Sequence, residues 1–512
     1  MKKIYILLAL ALIVTSACKK SFIDLAPEDQ YTDESFYKTP EQFNQAVIGA
    51  YVKLRDVMLN DYFTCEMRSD NTIYQPYPSN RGTAYIHREN IPDFTNTSTN
   101  SYVNAVWEHC YSGVSRANVV IEKLADASFA AEVKAPIDGQ AKFLRAFYYF
   151  KLVRLYGGVP LFVKTVTNAE DAFLIRSTAD EVYNQIIADA KDAIAELQPP
   201  AKFPQSGLAT KGSATMLLAE VYMTQKKWAE AETLLNTLPA MGYALNANYG
   251  DAFAVTNKNS KESIFEVQYL GGTVLGVTPN PLPFHFLPRS TNTAIITGIA
   301  INNSSTGGWN TPTQDLIDDF EPNDARLDAS IGIAEGTYNA SDLFVYSANK
   351  SIINYTPADG KVGVPYIKKY IHQPFAAVTG SSDNFPVYRY SDALLMLAEA
   401  QNEQGKSPLA ALNTVRDRAG LDDITTGGQA ELRTIIEHER RVELAFENHR
   451  WHDLVRGGKA VQVMNAFGQR LKQEVNYLTP DAYNVTDYKL LYPIPQPEID
   501  MNPGKMLQNP GY

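Results

Sequence analysis

Apolar residues recur at helical spacing through much of the first half of the chain. In "KTPEQFNQAVIGAYVKL" the recurring apolar positions are Phe43, Val47, Ala50, Tyr51 and Leu54. Thr39 can cap this helix, Pro40 suits its first position, and Gln42 completes a capping box. The segment "STADEVYNQIIADAKDAIAEL" repeats the arrangement, with Thr178 as the cap and Glu181 closing the box. The pattern therefore predicts long amphipathic helices.

Two further segments resemble the helical hairpins of tetratricopeptide repeats. They are "SATMLLAEVYMTQKKWAEAETLLNTL" and "SDALLMLAEAQNEQGKSPLAALNTVRDRAG". The same offset separates Leu218 from Ala231 in the first and Leu397 from Ala410 in the second. Small and apolar residues paired in this way let two helices pack closely, and neighbouring pairs must stack to bury their faces. Because the two units are far apart in sequence, we expect a helical scaffold interrupted by large insertions.

Residues 240–385 differ from this helical pattern. "ESIFEVQYL" alternates like a short strand, and the stretches after it are rich in Gly, Pro, Asn, Ser and Thr with aromatic residues among them. An irregular segment of this length is usually functional or disordered, and the embedded aromatic residues favour a functional one. The predicted fold class is mostly α, with tetratricopeptide-like helical hairpins as the scaffold and a large loop-rich insertion that contains short strands.

The N-terminal stretch "LALALIVTSACKKSFIDL" follows the layout of a secretory signal peptide. Lys2 and Lys3 form a charged start, residues 4–14 are apolar, and small residues precede Cys18. The apolar run is too short to cross a bilayer as a helix. It is either an ordinary signal or a bacterial lipoprotein signal whose cleavage leaves Cys18 lipidated. We favour the second interpretation, with residues 1–17 as the signal peptide and residues 18–26 as a lipidated tether.

Composition and charge narrow the possible partners. The formal net charge of −11 argues against nucleic acid, because phosphate binding requires clustered Lys and Arg. No later apolar run approaches the ~20 residues that a transmembrane helix needs. With Cys18 assigned to lipid, Cys65 and Cys110 form either one disulfide or two buried thiols, and their spacing does not decide. The sequence has no CxxC pair, so we expect no structural zinc site, and we expect no cofactor.

The sequence lacks the common catalytic motifs: it has no GxSxG elbow, no HExxH and no GxGxxG after a strand. "HRWHDL" brings His449 and His452 close on a predicted helix. However, the nearby Glu439, Glu443 and Glu447 are more typical of a structural salt-bridge network than of a metal site. We therefore expect a binding protein rather than an enzyme.

Several segments, in order, resemble those of the SusD/RagB family of outer-membrane nutrient-binding lipoproteins. After the cysteine they are "DLAPEDQYTDESFYKTPEQFNQAVIGAY", "NAVWEHCYSGVSRANVVI", "FLRAFYYFKLVRLYGGVPL", "PVYRYSDALLMLAEA", "ERRVELAFENHRWHDLVRGG" and "LYPIPQPEIDMNPGKMLQNPGY". The resemblance implies an N-terminal helical region, residues 27–240, and a C-terminal region, residues 241–512, that includes the loop-rich insertion. It also implies a lipid-anchored, surface-exposed protein of the cell outer membrane. Such a protein captures a glycan or oligosaccharide and passes it to a SusC-like, TonB-dependent transporter.

The chemistry of sugars selects the candidate ligand-binding residues. A sugar site needs exposed aromatic planes for stacking and polar side chains for the hydroxyl rim. Two stretches supply both, and the candidates are Asp70, Asn71, Tyr74, Tyr77 and Arg81, and Phe284, His285, Phe286, Trp309 and Asn310. Trp309 follows Gly307 and Gly308, and its indole is predicted to be presented on a surface loop. The remaining tryptophans lie on helical stripes and are predicted to pack in the interior: Trp107, Trp228 and Trp451.

Two other classes of function remain open. A tethered glycoside hydrolase needs a positioned acid and a second carboxylate, and it turns over an aryl glycoside. A tetratricopeptide-type protein-interaction adaptor binds its partner but has no affinity for any glycan.

Overall fold

The computed structural model describes residues 36–77, 82–274, 276–373, 375 and 380–512. The predicted signal peptide, Cys18 and the tether lie outside the described residues, as does Arg81. Within these described ranges, no helix combines the length and the apolar character that crossing a membrane requires.

Helices make up most of the regular structure. In chain order they are α1 (Pro40–Thr64), α2 (Thr83–Asn90), α3 (Ser101–Asp126), α4 (Ala131–Tyr156), α5 (Ala179–Glu196), α6 (Lys211–Thr224), α7 (Trp228–Leu235), α8 (Leu282–His285), α9 (Ala294–Thr297), α10 (Gln314–Asp319), α11 (Ala325–Ser330), α12 (Tyr390–Glu403), α13 (Leu409–Ala419), α14 (Gln429–Glu443), α15 (Arg450–Arg456), α16 (Ala460–Glu474) and α17 (Gln496–Met501). Thr39 and Gln42 form the predicted capping box of α1, and Thr178 and Glu181 form that of α5. The local signals for both helices are therefore confirmed.

The two tetratricopeptide-like hairpins lie side by side. α6 packs against α7 in the first hairpin, α12 packs against α13 in the second, and α7 packs against α12 across the two. Glu232 on α7 accepts hydrogen bonds from Gln404 Nε2 at 2.8 Å and from Lys406 Nζ at 2.5 Å. This stacking buries the small residues Ala231 and Ala398 completely. The predicted helical scaffold, built from two units that are distant in sequence, is confirmed.

Among the described residues between 72 and 389, the structure has seven short strands. They are β1 (Thr72–Ile73), β2 (Ser263–Val267), β3 (Thr311–Pro312), β4 (Ile331–Tyr338), β5 (Phe344–Ser351), β6 (Val362–Ile367) and β7 (Phe385–Arg389). β2 pairs with β7, which confirms the strand predicted in "ESIFEVQYL", but every residue of β2 is buried.

A three-stranded antiparallel sheet, in the order β5-β4-β6, was not predicted from the sequence. Gly332 and Gly336 interrupt the apolar alternation of β4, and glycine is depleted in ordinary strands. The reason for one of them is visible in the packing: a Cβ on Gly332 would lie 2.6 Å from the Tyr366 ring of β6. Glycine at position 332 lets β4 and the Tyr366 ring of β6 approach closely. A sequence pattern alone does not reveal such a contact.

One apolar core joins both halves of the chain. It includes Phe43 of α1 and Tyr492 near the C-terminus, and Trp107 lies within it. Trp451 is buried in a neighbouring cluster, and Trp228 packs against the main core while partly exposed. The predicted packing role of these three tryptophans is confirmed.

A buried ion-pair network crosses this interior. Arg389, at the end of β7, pairs with Glu262 at 2.9 Å, with Glu443 at 2.8 Å and with Glu447 at 2.7 Å. Glu439 extends this network, because it pairs with Arg326 of α11 and Arg416 of α13. The structural salt-bridge network predicted for the glutamates of α14 and the turn after it is confirmed.

The two described cysteines, Cys65 and Cys110, are both buried free thiols. Burial, with the nearby carboxylate of Asp61, raises the pKa of the Cys65 thiol to about 12. Because the thiolate is the reactive form, this cysteine is inert at neutral pH. Of the two alternatives left open by their spacing, the structure shows the buried thiols.

Candidate functional site

Strand pairing brings together the two stretches that the sequence marked as ligand-binding. β1 and β3 pair antiparallel, with Thr72 opposite Pro312. Just beyond this pair, the Gln75 N–H donates to the Gly308 carbonyl at 2.7 Å. The stretch from Asp70 to Tyr77 therefore lies beside the loop that carries the predicted tryptophan, although the two are far apart along the chain.

Trp309 is fully buried, so the prediction of an exposed indole is wrong. Its ring centroid lies 5.4 Å from that of Phe63 and 5.9 Å from that of Tyr77. The flanking glycines allow close approach instead of exposure, because a Cβ on Gly307 would lie 2.7 Å from the Leu287 carbonyl oxygen. The loop therefore folds onto the body of the protein. An indole placed in this way has no free face on which a sugar can stack.

Phe284, Phe286 and Asn310 are also buried. Phe286 meets Tyr62 edge-on at 5.1 Å, and Phe284 lies 5.3 Å from Phe375. The expectation of exposed aromatic planes is wrong for both phenylalanines, because Phe284 of α8 and Phe286 directly after it pack into two apolar clusters. Asn310 takes a left-handed backbone conformation, with φ of 54°, directly before β3.

His285 is half-buried behind the same loop. Its carbonyl accepts the Trp309 N–H at 3.0 Å, and its Nδ1 lies 3.2 Å from the Tyr62 hydroxyl. Burial, together with the positive charge of Arg88, lowers the pKa of His285 to about 4. The imidazole is therefore neutral at pH 7 and acts here as a hydrogen-bonding support.

Asp70 and Asn71 are engaged by protein partners. The Asp70 carboxylate receives two hydrogen bonds of 2.8 Å from Arg450 and pairs with Arg441 at 3.1 Å. Burial acts to raise the pKa of Asp70, but the two guanidinium groups outweigh it and hold the pKa at about 2. The Asn71 amide donates to Glu66 at 2.9 Å and accepts from Arg441 at 3.0 Å. Both residues brace the start of β1 from within.

Tyr74 and Tyr77 are also buried. The Tyr74 hydroxyl donates to Asp93 at 2.9 Å. The Tyr77 ring stacks on Tyr85 with centroids 3.9 Å apart, and the Arg289 guanidinium lies 4.0 Å from the centre of the same ring. Tyr74 also lines the groove described next, whereas Tyr77 does not.

A groove of about 420 Å³ lies beside the β1–β3 pair. Residues of β1, β3, β6 and α16 line it, together with Tyr338 at the end of β4 and Tyr477 after α16. Tyr338 is 43% exposed. The Tyr477 ring lies 5.1 Å from that of Tyr74, and both residues line the groove. Tyr74, which is predicted from the sequence as a ligand-binding residue, therefore contributes to this groove. We call this feature the tyrosine groove.

Polar side chains complete the tyrosine groove. They are Gln314 and Asp315 of α10 and Arg470 and Glu474 of α16. The Arg470 guanidinium donates to Asp315 at 2.7 Å, and both Arg470 and Glu474 are exposed. Aromatic planes beside donors and acceptors suit a ligand that has apolar faces and a polar rim.

Four residues of the groove are not predicted by the sequence pattern: Tyr338, Tyr477, Arg470 and Glu474. Tyr338 ends a strand that was not predicted, and the other three come from α16 and the loop after it. One signal was present: Tyr338 stands directly before the polar turn "NASD", and such a position is typical of a strand end at the surface.

Across the ranges that the structure describes, no group of three or more His, Cys, Asp and Glu side chains could hold a metal ion. His452 is buried, with its Nε2 3.3 Å from the Cys65 sulfur. Burial, with several nearby basic groups, lowers its pKa well below the usual value.

A helical scaffold of stacked hairpins that carries an aromatic-lined groove defines a ligand-binding protein. The model of the SusD family matches residues 240–512, and a second model, described as "Starch-binding associating with outer membrane", matches residues 21–223. The chain belongs to the SusD family. Members of this family are binding proteins rather than enzymes, in agreement with the prediction from the sequence.

Individual relatives support the family and the fold. SusD-like protein P2 of Formosa agariphila is 30% identical over 100% of both chains. A SusD-like protein from Bacteroides fragilis has a similar crystal structure, with a TM-score of 0.73 and 26% identity over 95% of this chain and 100% of the other. Surface glycan-binding protein A from Bacteroides thetaiotaomicron, solved in complex with laminarihexaose, gives a TM-score of 0.70 and 25% identity over 92% of this chain and 99% of the other. The mostly helical fold class is confirmed.

Proposed function

We propose that this protein binds a glycan or oligosaccharide in the tyrosine groove and delivers it to a SusC-like, TonB-dependent transporter in the outer membrane. The observation that carries the proposal is the groove itself, which joins exposed aromatic and polar side chains in a member of the SusD family. The relative solved with laminarihexaose and the family model described as starch-binding point to the same class of ligand.

The chemistry of the tyrosine groove suits a sugar. Sugars have apolar C–H faces that stack on aromatic rings and hydroxyl rims that need donors and acceptors. Tyr338 offers the exposed ring, Arg470 offers donors, and Glu474 offers acceptors. Because Asp315 already holds Arg470 at 2.7 Å, part of the ordering of that side chain precedes ligand binding, which favours affinity.

A chain of rings supports the groove from the interior. Trp309 lies 6.0 Å from Tyr74, which in turn lies 5.1 Å from Tyr477. Aromatic rings packed in series are rigid, and a rigid wall keeps its contacts with the ligand aligned. The role that we propose for Trp309 is therefore to position the two tyrosines, while the direct contact is made by the groove.

Attachment to the membrane forms part of the same proposal. Removal of residues 1–17 would leave Cys18 at the N-terminus, where lipid chains would hold the body on the outer membrane through the tether of residues 18–26. The matched model described as associating with the outer membrane supports this location at the membrane.

The division into an N-terminal region, 27–240, and a C-terminal region, 241–512, stays a prediction.

The experiment compares Tyr338→Ala with the unchanged protein by calorimetric titration, first with laminarihexaose and then with glycans found on an array. We expect the variant to bind roughly tenfold more weakly, which corresponds to about 1.4 kcal/mol. The melting temperature should not change, because the ring is 43% exposed and contributes little to the core.

Tyr488→Ala is the matched control. Tyr488 is 39% exposed and meets Tyr512 edge-on at 5.1 Å, much as Tyr338 meets Phe344 at 5.2 Å, but it lies outside the groove. Equal affinity of Tyr338→Ala and the unchanged protein would move the site elsewhere. Failure of the unchanged protein to bind any glycan would favour the adaptor, and release of reducing ends would favour the hydrolase.

A further inference from the structure

A second, apolar cleft of about 370 Å³ lies between α3 and the segment 160–174, and it shares no lining residue with the tyrosine groove. Its walls include the side chains of Trp107, Tyr111, Phe162, Phe173 and Met501. At this cleft Phe173 is 43% exposed, Val166 is 45% exposed and Met501 is 59% exposed. Large apolar side chains grouped on a surface mark a place of contact with another element.

Three charged side chains line the same cleft: the carboxylates of Glu108 on α3 and Glu498 on α17, and the exposed ammonium of Lys164. Their sum is a net negative charge, and among the described residues neither carboxylate is part of an ion pair. Burial raises the pKa of Glu498, and the negative charge of Glu108 raises it further. A cation nearby would relieve this repulsion. The cleft therefore suits an occupant that combines apolar side chains with positive charge.

We propose that residues 19–25 of this chain, "KKSFIDL", dock in the apolar cleft. Phe22, Ile23 and Leu25 would cover the apolar wall, and Lys19 and Lys20 would lie near Glu108 and Glu498. This segment lies outside the described residues. It places two cations one residue before three apolar side chains, and with Asp24 among them the segment keeps a net positive charge, which is the combination that the cleft suits.

The path of the chain allows this docking. Near the first described residues, Tyr37 packs on Phe43 at 5.3 Å, and Phe43 packs on Phe129, just after the end of α3, at 5.7 Å. From there to Glu108 is about 28 Å along α3, at ~1.5 Å per residue. Residues 26–35 span about 33 Å when extended. An extended chain that runs along α3 therefore reaches the cleft with little slack.

Docking of this segment would fix how the protein sits on the membrane. If Cys18 carries the lipid, a docked "KKSFIDL" places the anchor at the rim of the cleft and turns this face towards the bilayer. The inference does not depend on the proposed glycan site, because the two features share no lining residue.

A photocrosslinking experiment tests the docking. A benzophenone amino acid replaces Phe22 in the chain of residues 18–512 with Cys18→Ser, which retains every described residue. After illumination in dilute solution, peptide mass spectrometry should find intramolecular crosslinks to residues 160–174 or 498–506. The double variant Phe173→Ser and Met501→Ser should lower their yield about tenfold, as a loss of about 1.4 kcal/mol in docking would.

The control for that variant is Ile48→Ser with Leu270→Ser, two apolar side chains of similar exposure at 46% and 53% that lie outside the cleft. This pair should leave the yield unchanged. Crosslinks to another part of the chain, or no crosslinks, would overturn the proposal. A yield that is insensitive to the cleft variant would also overturn it. Crosslinks confined to a dimer, with a yield that rises with concentration, would assign the cleft to a second copy instead.

Discussion

The tyrosine groove and the ion-pair network around Arg389 use similar residue types in opposite surroundings. In the network, Arg389 pairs with three glutamates at 2.7 to 2.9 Å, and the side chains are at most 1% exposed. In the groove, Arg470 pairs with Asp315 at 2.7 Å, but the arginine side chain is 53% exposed. Both regions place arginine and carboxylate next to aromatic rings.

Access to water makes the difference between these two regions. A buried charge has lost its hydration, so removal of its partner leaves an uncompensated charge in the interior. An exposed pair is screened by water, contributes little to stability and keeps unused donors and acceptors. The network therefore stabilises the fold, while the groove has side chains free for a ligand. Partner geometry and exposure, rather than residue type, separate the structural residues from the proposed ligand-binding residues here.

The largest effect is expected for Arg389→Met. This change removes the cation that Glu262, Glu443 and Glu447 share in the buried interior. Arg418, Arg326 and Lys369 still pair with these carboxylates and compensate them in part. We therefore expect a loss of up to about 5 kcal/mol in the free energy of unfolding. Chemical denaturation measures it. Arg470→Met is the matched change in the groove and should alter the free energy of unfolding by less than about 0.5 kcal/mol. Similar losses for the two variants would break the comparison.

A second large effect is expected for Trp309→Ala. The indole is fully buried against Phe63 and Tyr77, so its removal leaves a cavity and should cost about 4 kcal/mol of stability. Thermal and chemical unfolding measure the change, and Trp309→Phe should recover much of it. If Trp309→Ala unfolds like the unchanged protein and only loses affinity for glycan, the indole belongs to the ligand surface rather than to the interior.

A smaller, pH-dependent effect is expected for Asp70→Asn. Arg450 and Arg441 hold the pKa of Asp70 at about 2, below its unfolded value of 3.8. Because the folded pKa is the lower one, this carboxylate stabilises the fold above pH 4, and the contribution is lost as the pH falls from 3.8 towards 2. Asp70→Asn should therefore cost about 2 kcal/mol at pH 7.

Denaturation curves at several pH values test this assignment. The difference between Asp70→Asn and the unchanged protein should shrink as the pH approaches 2. A difference that stays constant with pH would show that the lost contribution is packing or hydrogen bonding rather than the ion pairs of Asp70.

Several features of the site could be read from the sequence, and others could not. Both stretches selected for their aromatic and polar residues do meet, through β1 and β3, and Tyr74 lines the groove. The sequence pattern does not determine the orientation of individual side chains. The glycine pair Gly307 and Gly308 predicts an exposed Trp309, whereas in the structure these glycines bring the loop close to the body.

The sequence by itself determined the helices, their caps and the two hairpin units, because these depend on residues a few positions apart. Thr39 meets Gln42, and Thr178 meets Glu181, within one helical turn. Only the tertiary structure decided that Trp309 is interior and that Tyr338 and Tyr477 share a groove with Tyr74. Burial depends on which distant segments pack together, and here a strand pair between residues 72–73 and 311–312 sets it. Nothing in the neighbourhood of one residue carries that long-range information.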